Sequence, residues 1–156
     1  MGDRAVITTK DKEVGVYLHW NGDVTSVTAF LTWCKLRGLR APDSQNYGWA
    51  RLCQVVANYI EGCNYAAGQT FGGFAGAFSG LSIGVDRYEH LEGAADYDNG
   101  TYIIEGWDIV DREGPYEKEE CAALYPMLCR INRYQPKIMR LDESVFDPYV
   151  CPEERK

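Results

Sequence analysis

The chain has 156 residues, of which 46% are hydrophobic and 13% are aromatic, and its formal net charge is −7. That length and composition predict one packed domain and exclude a disordered chain. The negative charge argues against binding to a DNA or RNA polymer, because phosphate neutralisation needs clustered Lys and Arg. The apolar runs are too short to span a membrane, and the first residues lack the apolar stretch of a secretion signal. We therefore expect a cytoplasmic protein.

The first part of the chain carries local signals for a hairpin followed by two helices. Residues 5–9 and 14–20 are predicted strands joined by a polar turn. Asp23 as N-cap and Gly38 just past the end bound a first helix. A second helix is predicted to start after Pro42-Asp43-Ser44 and to run from Tyr47 to Ile60, with an apolar face of Trp49, Leu52, Cys53, Val56 and Ile60. The ordinary interpretation of its opposite stripe, Tyr47, Arg51, Gln54 and Asn58, is a solvated face.

Residues 62–80 differ in character, since they contain six glycines and four aromatic residues. Neither a phosphate-loop G-K-[ST] ending nor a G-x-G-x-x-G pattern is present, so the glycines alone do not indicate nucleotide binding. We interpret this segment as an insertion that packs against another subunit.

The turn Asp98-Asn99-Gly100 is the strongest local signal in the second half. Asn-Gly tolerates positive φ, so a reversal that enters a strand over Thr101–Val110 is predicted, with Gly106 marking a bulge or bend. An earlier strand over Leu81–Val85, with Tyr88 at its exit, is expected in the same antiparallel sheet. The acidic residues 89–98 are a predicted loop.

The C-terminal region is predicted to be helical and then irregular. Pro115–Arg133 has early acids and late bases, which suits a helix dipole, and Pro126 is expected to interrupt it. Residues 137–156 are expected to form an extended or partly disordered extension. The sequence therefore predicts an α+β fold, a small antiparallel sheet packed with two main helices plus a C-terminal helical segment. Residues 1–136 form the single domain that carries the insertion.

Catalytic and metal-binding patterns are missing from the sequence. His19 and His90 are the two histidines, and neither lies in a metal or catalytic motif. The six cysteines are irregularly spaced without C-x-x-C, so Cys34 and Cys53 are interpreted as small buried hydrophobes in a reducing compartment. Acidic pairs such as Asp96 with Asp98 are more typical of an exposed loop. We expect no catalytic residues, no metal and no cofactor.

Three residues near the Asn-Gly turn are of the types that bind nucleotides. Arg112 offers charge for phosphate, Tyr88 a flat face for a base, and Asn99 a donor and an acceptor for polar edges. A pocket with two or three arginines can bind one small anion on a protein that is acidic overall.

Several stretches of the chain together resemble the phage Thoeris anti-defence family, type one. They are Asp3-Arg4-Ala5-Val6-Ile7, Tyr17-Leu18-His19-Trp20-Asn21-Gly22, Tyr47-Gly48-Trp49-Ala50-Arg51-Leu52-Cys53-Gln54, Leu81-Ser82-Ile83-Gly84 and Asp98-Asn99-Gly100-Thr101-Tyr102-Ile103-Ile104. The resemblance extends over residues 3–136. Members of this family sequester cyclised ADP-ribose signals made by bacterial TIR-domain enzymes.

The resemblance implies a fold, an assembly and a site. It implies an antiparallel sheet with two helices, a dimer or higher homo-oligomer, and a signal held intact at the subunit interface. The ligand contacts of the family, two arginines, one aromatic residue and one asparagine, fall on Arg51, Arg112, Tyr88 and Asn99. Tyr47, on the same helical stripe as Arg51, completes the candidate set. The insertion and the longer C-terminus depart from the family pattern, and some members also bind cyclic oligonucleotides at a separate site.

The expected function is therefore non-enzymatic capture of a cyclic ADP-ribose signal, of the glycocyclic type, in the cytoplasm of the infected bacterium. Two alternatives stay open. One is a small signal-degrading hydrolase that uses the acidic loop or a cysteine. The other is an inhibitor that binds a host defence protein through its acidic surface and its Gly-Phe segment.

Overall fold

A computed structural model describes residues 2–43, 46–66 and 83–151 of the chain, without the side chains of residues 64–66. The predicted insertion beyond residue 66, the start of the strand at Leu81, the Ser44 that precedes the second helix, and residues 152–156 lie outside the described residues. Within the described part the predicted α+β class is confirmed, because helices pack on one sheet of five strands.

The predicted elements occur in the expected order, but a fifth strand and a single-turn helix were not predicted, and several boundaries differ. The strands are β1 Ala5–Thr9, β2 Val14–Leu18, β3 Ile83–Arg87, β4 Thr101–Glu105 and β5 Asp108–Glu113. The helices are α1 Val24–Arg37, α2 Tyr47–Ala66, the single turn α3 Tyr88–Leu91 and α4 Tyr125–Arg133, followed by 3₁₀ turns at Lys137–Met139 and Glu143–Tyr149.

The sheet is mixed where the sequence predicted a wholly antiparallel one. Its strand order is β3-β2-β1-β4-β5, and β1 pairs in parallel with β4 while the other neighbours pair antiparallel. The two parallel strands start at the same edge because the turn before β4 is bonded to the residues before β1. Asn99 donates its backbone N–H to the Arg4 carbonyl, and Val6 donates to the Gly100 carbonyl. This parallel pair lies at the centre of the sheet.

The predicted single strand over Thr101–Val110 is wrong, because this stretch folds back on itself as the β4–β5 hairpin. Gly106, with φ of 61°, makes the reversal and is neither a bulge nor a bend within a strand. The register irregularity lies before this reversal, between Ile103 and Ile104 on β4. A positive φ is cheap for glycine, so one residue decides between one long strand and two short ones.

Alternation along β1 places side chains on both faces of the sheet. Ala5 and Ile7 join the main core with α1, α2 and α4, whereas Val6 packs with Tyr88 and Ala95 in a second, small cluster. Successive strand residues point to opposite faces, so the sheet has a helical face and a second face covered by α3 and the loop after it.

The caps predicted for α1 are confirmed. The Asp23 carboxylate accepts from the Ser26 N–H at 3.0 Å, and Gly38 ends the helix with φ of 78°. The apolar face predicted for α2 is likewise buried at Trp49, Leu52 and Val56.

The predicted helix over Pro115–Arg133 is wrong in its first half. Only Tyr125–Arg133 is helical, and Pro126 lies in the first turn, where its missing N–H leaves no bond unmade. Residues 115–124 form a strap across the start of α1. There the Glu119 carboxylate accepts from the Val24 N–H at 2.8 Å. This acid therefore caps α1 and does not belong to a helix of its own.

The part of the C-terminal extension that the structure describes, residues 137–151, was expected to be extended or partly disordered and is packed instead. The second 3₁₀ turn buries Phe146 completely in the main core. The Asn132 side chain bonds both the N–H and the carbonyl of Leu141, which fixes these residues against α4.

Candidate functional site

A surface depression that is lined by two of the predicted site residues, Tyr47 and Arg51, lies between the end of α1 and the start of α2. This α1–α2 cleft has a volume of about 590 Å³. Its lining residues are Gly38, Leu39, Arg40, Tyr47, Ala50, Arg51 and Gln54. Volumes of about 300–1,000 Å³ are typical of sites for small molecules and cofactors.

Helical spacing explains which α2 residues meet in the cleft. Tyr47, Arg51 and Gln54 are four and three residues apart, so they lie on one side of the helix. This is the stripe whose ordinary interpretation is a solvated face, and all three side chains are indeed exposed. Tyr47 retains 69% of its surface accessible. The cleft is therefore an open surface with an aromatic ring and a guanidinium on the same wall.

The opposite wall is held in place by the β4–β5 turn. The Trp107 indole donates to the Leu39 carbonyl at 2.8 Å, and the Gly106 N–H donates to the Asp43 carboxylate at 2.8 Å. These bonds attach the connection between α1 and α2 to the sheet. The wall that carries Leu39 is thus part of the folded core and not a loose loop.

Gly48 sets how closely α2 approaches that connection. A Cβ at this position would lie 2.3 Å from the Pro42 nitrogen and 2.4 Å from the Ala41 carbonyl carbon. Both neighbours are backbone atoms, which cannot rotate away. The first turn of α2 therefore lies against the backbone of Ala41–Pro42 and leaves no room for a side chain there.

The cleft has positive charge on an acidic protein. Arg40 and Arg51 both line it, and none of the described residues that line it carries a carboxylate. Arg51 donates from Nη1 to Gln54 Oε1 at 3.0 Å. Two guanidiniums beside an exposed tyrosine ring can bind an anion that carries a flat ring system.

Arg112 lies in a different environment, between two tyrosine rings. Its guanidinium carbon is 4.5 Å from the Tyr102 ring centre and 4.2 Å from that of Tyr116. Its Nε donates to the Asn99 carbonyl at 3.0 Å, while the buried Nη2 has no hydrogen-bond partner among the described residues. The structure thus brings Arg112 and Asn99 together, at the end of β5 remote from the β4–β5 turn.

The Asn99 side chain is 6% exposed and faces the start of the chain. Its Nδ2 donates to the Asp3 carboxylate at 2.6 Å and to the Arg4 carbonyl at 2.9 Å. The positive φ predicted for the Asn-Gly turn belongs to Gly100, at 68°, and not to Asn99. Asn99 therefore joins the β4 entry to the residues before β1.

The pKa values of the two acids next to Asn99 shift in opposite directions: that of Asp3 is raised and that of Asp98 is lowered. Burial raises the pKa of Asp3, the bond from Asn99 lowers it, and the neighbouring Asp23 carboxylate raises it again. The Arg4 guanidinium, 2.8 Å from Asp98, holds the pKa of that carboxyl below its usual value. Asp98 is thus an ion-pair partner, which does not suit the acid–base role considered for the acidic loop.

Tyr88 lies on the second face of the sheet and is 8% exposed. It packs with Val6 and Ala95, and the Lys12 ammonium lies 5.8 Å from its ring centre. Arg51 stands on a helix that covers the other face. Within one chain, Tyr88 and Arg51 are therefore on opposite sides of the sheet.

The structure divides the five predicted site residues into three places. Tyr47 and Arg51 share the α1–α2 cleft, Asn99 and Arg112 lie together near the strap, and Tyr88 is separate. Arg40 was not among the predicted site residues. Its position two residues after the Gly38 cap, in the connection that leads to the second helix, is the signal that could have indicated it.

Two of the cysteines that the hydrolase alternative could use, Cys34 and Cys53, are buried or half-buried. Cys34 is fully buried, and burial raises the pKa of its thiol, as it raises that of Cys53 to about 11. A thiol must ionise to act as a nucleophile. No cluster of three or more His, Cys, Asp or Glu side chains suited to a metal occurs among the described residues.

Comparisons with known proteins add no assignment: no protein-family model, curated protein or solved structure matches this chain. None of the described helices is long and apolar enough to cross a membrane.

Proposed function

We propose that this protein is a non-catalytic phage anti-defence protein that captures a cyclic ADP-ribose signal, of the glycocyclic type, made by bacterial TIR-domain proteins. It would act in the cytoplasm of the infected host and block Thoeris immunity by lowering the free signal. The observation that supports this proposal is the α1–α2 cleft, where Tyr47 and Arg51 share one wall and Arg40 adds a second cation.

The chemistry of the cleft matches the chemistry of such a signal. A cyclic ADP-ribose carries an adenine ring, two ribose groups and a negatively charged diphosphate. In the proposal Tyr47 stacks on the base, while Arg40 and Arg51 bind the diphosphate. Arg112, Asn99 and Tyr88 lie elsewhere in the chain, so their predicted ligand contacts would have to be made at a second surface.

The binding free energy that sequestration requires favours an assembly of more than one copy of the chain. Effective sequestration needs nanomolar affinity, about −12 kcal/mol. One stacked base and two charge-assisted contacts together contribute roughly 4–9 kcal/mol. An open cleft on one copy therefore falls short. A homo-oligomer, in which a second copy covers the cleft and excludes water, would supply the remainder.

A release experiment tests the proposal. The protein is incubated with the signal, separated from unbound ligand, denatured by heat, and the supernatant is analysed by chromatography. Intact signal in the supernatant is the expected result. A cleaved product would reject sequestration and favour the hydrolase alternative, and full recovery in the unbound fraction would reject signal binding.

The matched variants are two exposed helical arginines. Arg51→Ala should release little or no signal, whereas Arg133→Ala, on α4 and outside the cleft, should release as much as the wild type. Equal release from both variants would place the signal away from the cleft.

A further inference from the structure

We infer that Gln54 is a positioning residue that orients Arg51 for binding a diphosphate. This inference rests on the proposed function in taking the cleft as the ligand site, with Arg40 as the second cation. It goes further in assigning a role to Gln54 and in predicting selection for diphosphate-bearing ligands over neutral nucleosides.

The first observation is the bond between two exposed side chains on α2. Arg51 Nη1 donates to Gln54 Oε1 at 3.0 Å, one helical turn further along. An exposed arginine otherwise samples many rotamers, and fixing it costs binding energy. A bond that holds the guanidinium against the cleft wall before the ligand arrives reduces that cost.

The second observation is the choice of an amide at position 54. A glutamate there would hold Arg51 more strongly, since ion pairs strengthen hydrogen bonds. It would also place a negative charge inside a cleft that has no carboxylate among its described lining residues. Glutamine orients the guanidinium without neutralising it, which is what an anion-binding site requires.

The third observation is the second cation on the facing wall. Arg40 lies in the connection between α1 and α2, directly after Leu39, whose carbonyl accepts from Trp107. The two arginines therefore stand on separate, anchored elements, with the exposed Tyr47 ring beside Arg51. Cations from two walls suit a diphosphate, which presents two adjacent charged groups.

The test compares ADP-ribose and adenosine as probes in calorimetric titrations of the full chain. Wild type should bind ADP-ribose at least tenfold more tightly than adenosine. Arg40→Ala and Arg51→Ala should each weaken ADP-ribose binding about 10–100-fold, because a charge-assisted contact is lost. Gln54→Ala should weaken it about 3–10-fold and leave adenosine binding unchanged.

Gln54→Glu separates positioning from simple packing. It retains the acceptor for Arg51, so the Arg51 Nη–H signal in NMR spectra should stay sharp, yet ADP-ribose binding should fall as far as in Arg51→Ala. In Gln54→Ala the same signal should broaden or move toward the free-arginine position.

The inference is overturned if Gln54→Ala binds ADP-ribose as wild type does, if both probes weaken equally, or if wild type fails to prefer ADP-ribose. Its failure is distinguishable from failure of the proposed function. Release of intact cyclic signal without ADP-ribose selectivity would reject only the inference. Selective ADP-ribose binding without capture of the cyclic signal would reject only the proposed function.

Discussion

Replacing Asn99 with alanine should destabilise the fold, which distinguishes its observed packing from the ligand contact predicted from the sequence. The substitution removes one bond to the Asp3 carboxylate and one to the Arg4 carbonyl. A charge-assisted bond contributes about 1.5–3 kcal/mol and a neutral one about 0.5–1.5, so the free energy of unfolding should fall by about 2–4 kcal/mol. The pKa of Asp3 should also rise further, because the bond from Asn99 lowers it.

Urea denaturation followed by tryptophan fluorescence measures this loss. Asn58→Ala is the matched control, since Asn58 makes one neutral bond to Gln135 on a helix where alanine is favoured. That variant should lose about 1 kcal/mol or less. If Asn99→Ala is as stable as Asn58→Ala, the anchoring role is refuted. If it is also stable and no longer binds the signal, Asn99 is a ligand contact as the sequence predicted.

Two further predictions follow from the same structure. Gly48→Ala should lower the free energy of unfolding by about 1–2 kcal/mol despite the helix propensity of alanine, because its Cβ would meet the Ala41–Pro42 backbone. Gly84→Ala is the control and should be tolerated, because a Cβ there has no atom within 4 Å. Equal thermal midpoints for the two variants would contradict the close approach at Gly48. His90 should titrate in NMR spectra above its ordinary 6.5, because Asp86 accepts from its ring, and Asp86→Asn should return it toward that value. Since the pKa of His90 is raised in the folded state, the stabilisation from its contact with Asp86 is fully present below pH 6.5. It is lost as the pH rises through the pKa of His90 in the folded protein. Identical titrations in wild type and variant would contradict it.

The parts of the fold that the sequence predicted correctly depend on local signals. The β1–β2 hairpin follows from alternation around a polar turn, and α1 follows from Asp23 and Gly38 at its ends. The apolar face of α2 follows from helical periodicity. Each of these needs only residues within a few positions of one another, so sequence alone is sufficient.

The errors arise where tertiary contacts override the local pattern. The strap 115–124 has charges that suit a helix, but Glu119 caps α1 and the segment is not helical. Gly106 reverses the chain because Trp107 and Asp43 fix both sides of the turn. The parallel pairing of β1 with β4 depends on bonds between residues almost one hundred positions apart. None of these has a signature in a short window of sequence.

The candidate site was predictable only in part for the same reason. Tyr47 and Arg51 meet because helical spacing places them together, and that spacing can be read directly. Arg40 joins them only after the connection to α2 is folded onto the β4–β5 turn. Tyr88 and Asn99 have the right chemistry, but the second face of the sheet and the start of β1 bury them.

Native mass spectrometry of the full chain with the cyclic ADP-ribose signal is the sharpest test of capture in the α1–α2 cleft, because it reports ligand mass, stoichiometry and assembly together. We expect an oligomer that retains signal of unchanged mass, that loses it in Arg51→Ala and that keeps it in Arg133→Ala. A bound or released product of altered mass, or an Arg51→Ala protein that retains the signal as wild type does, would contradict capture in the α1–α2 cleft.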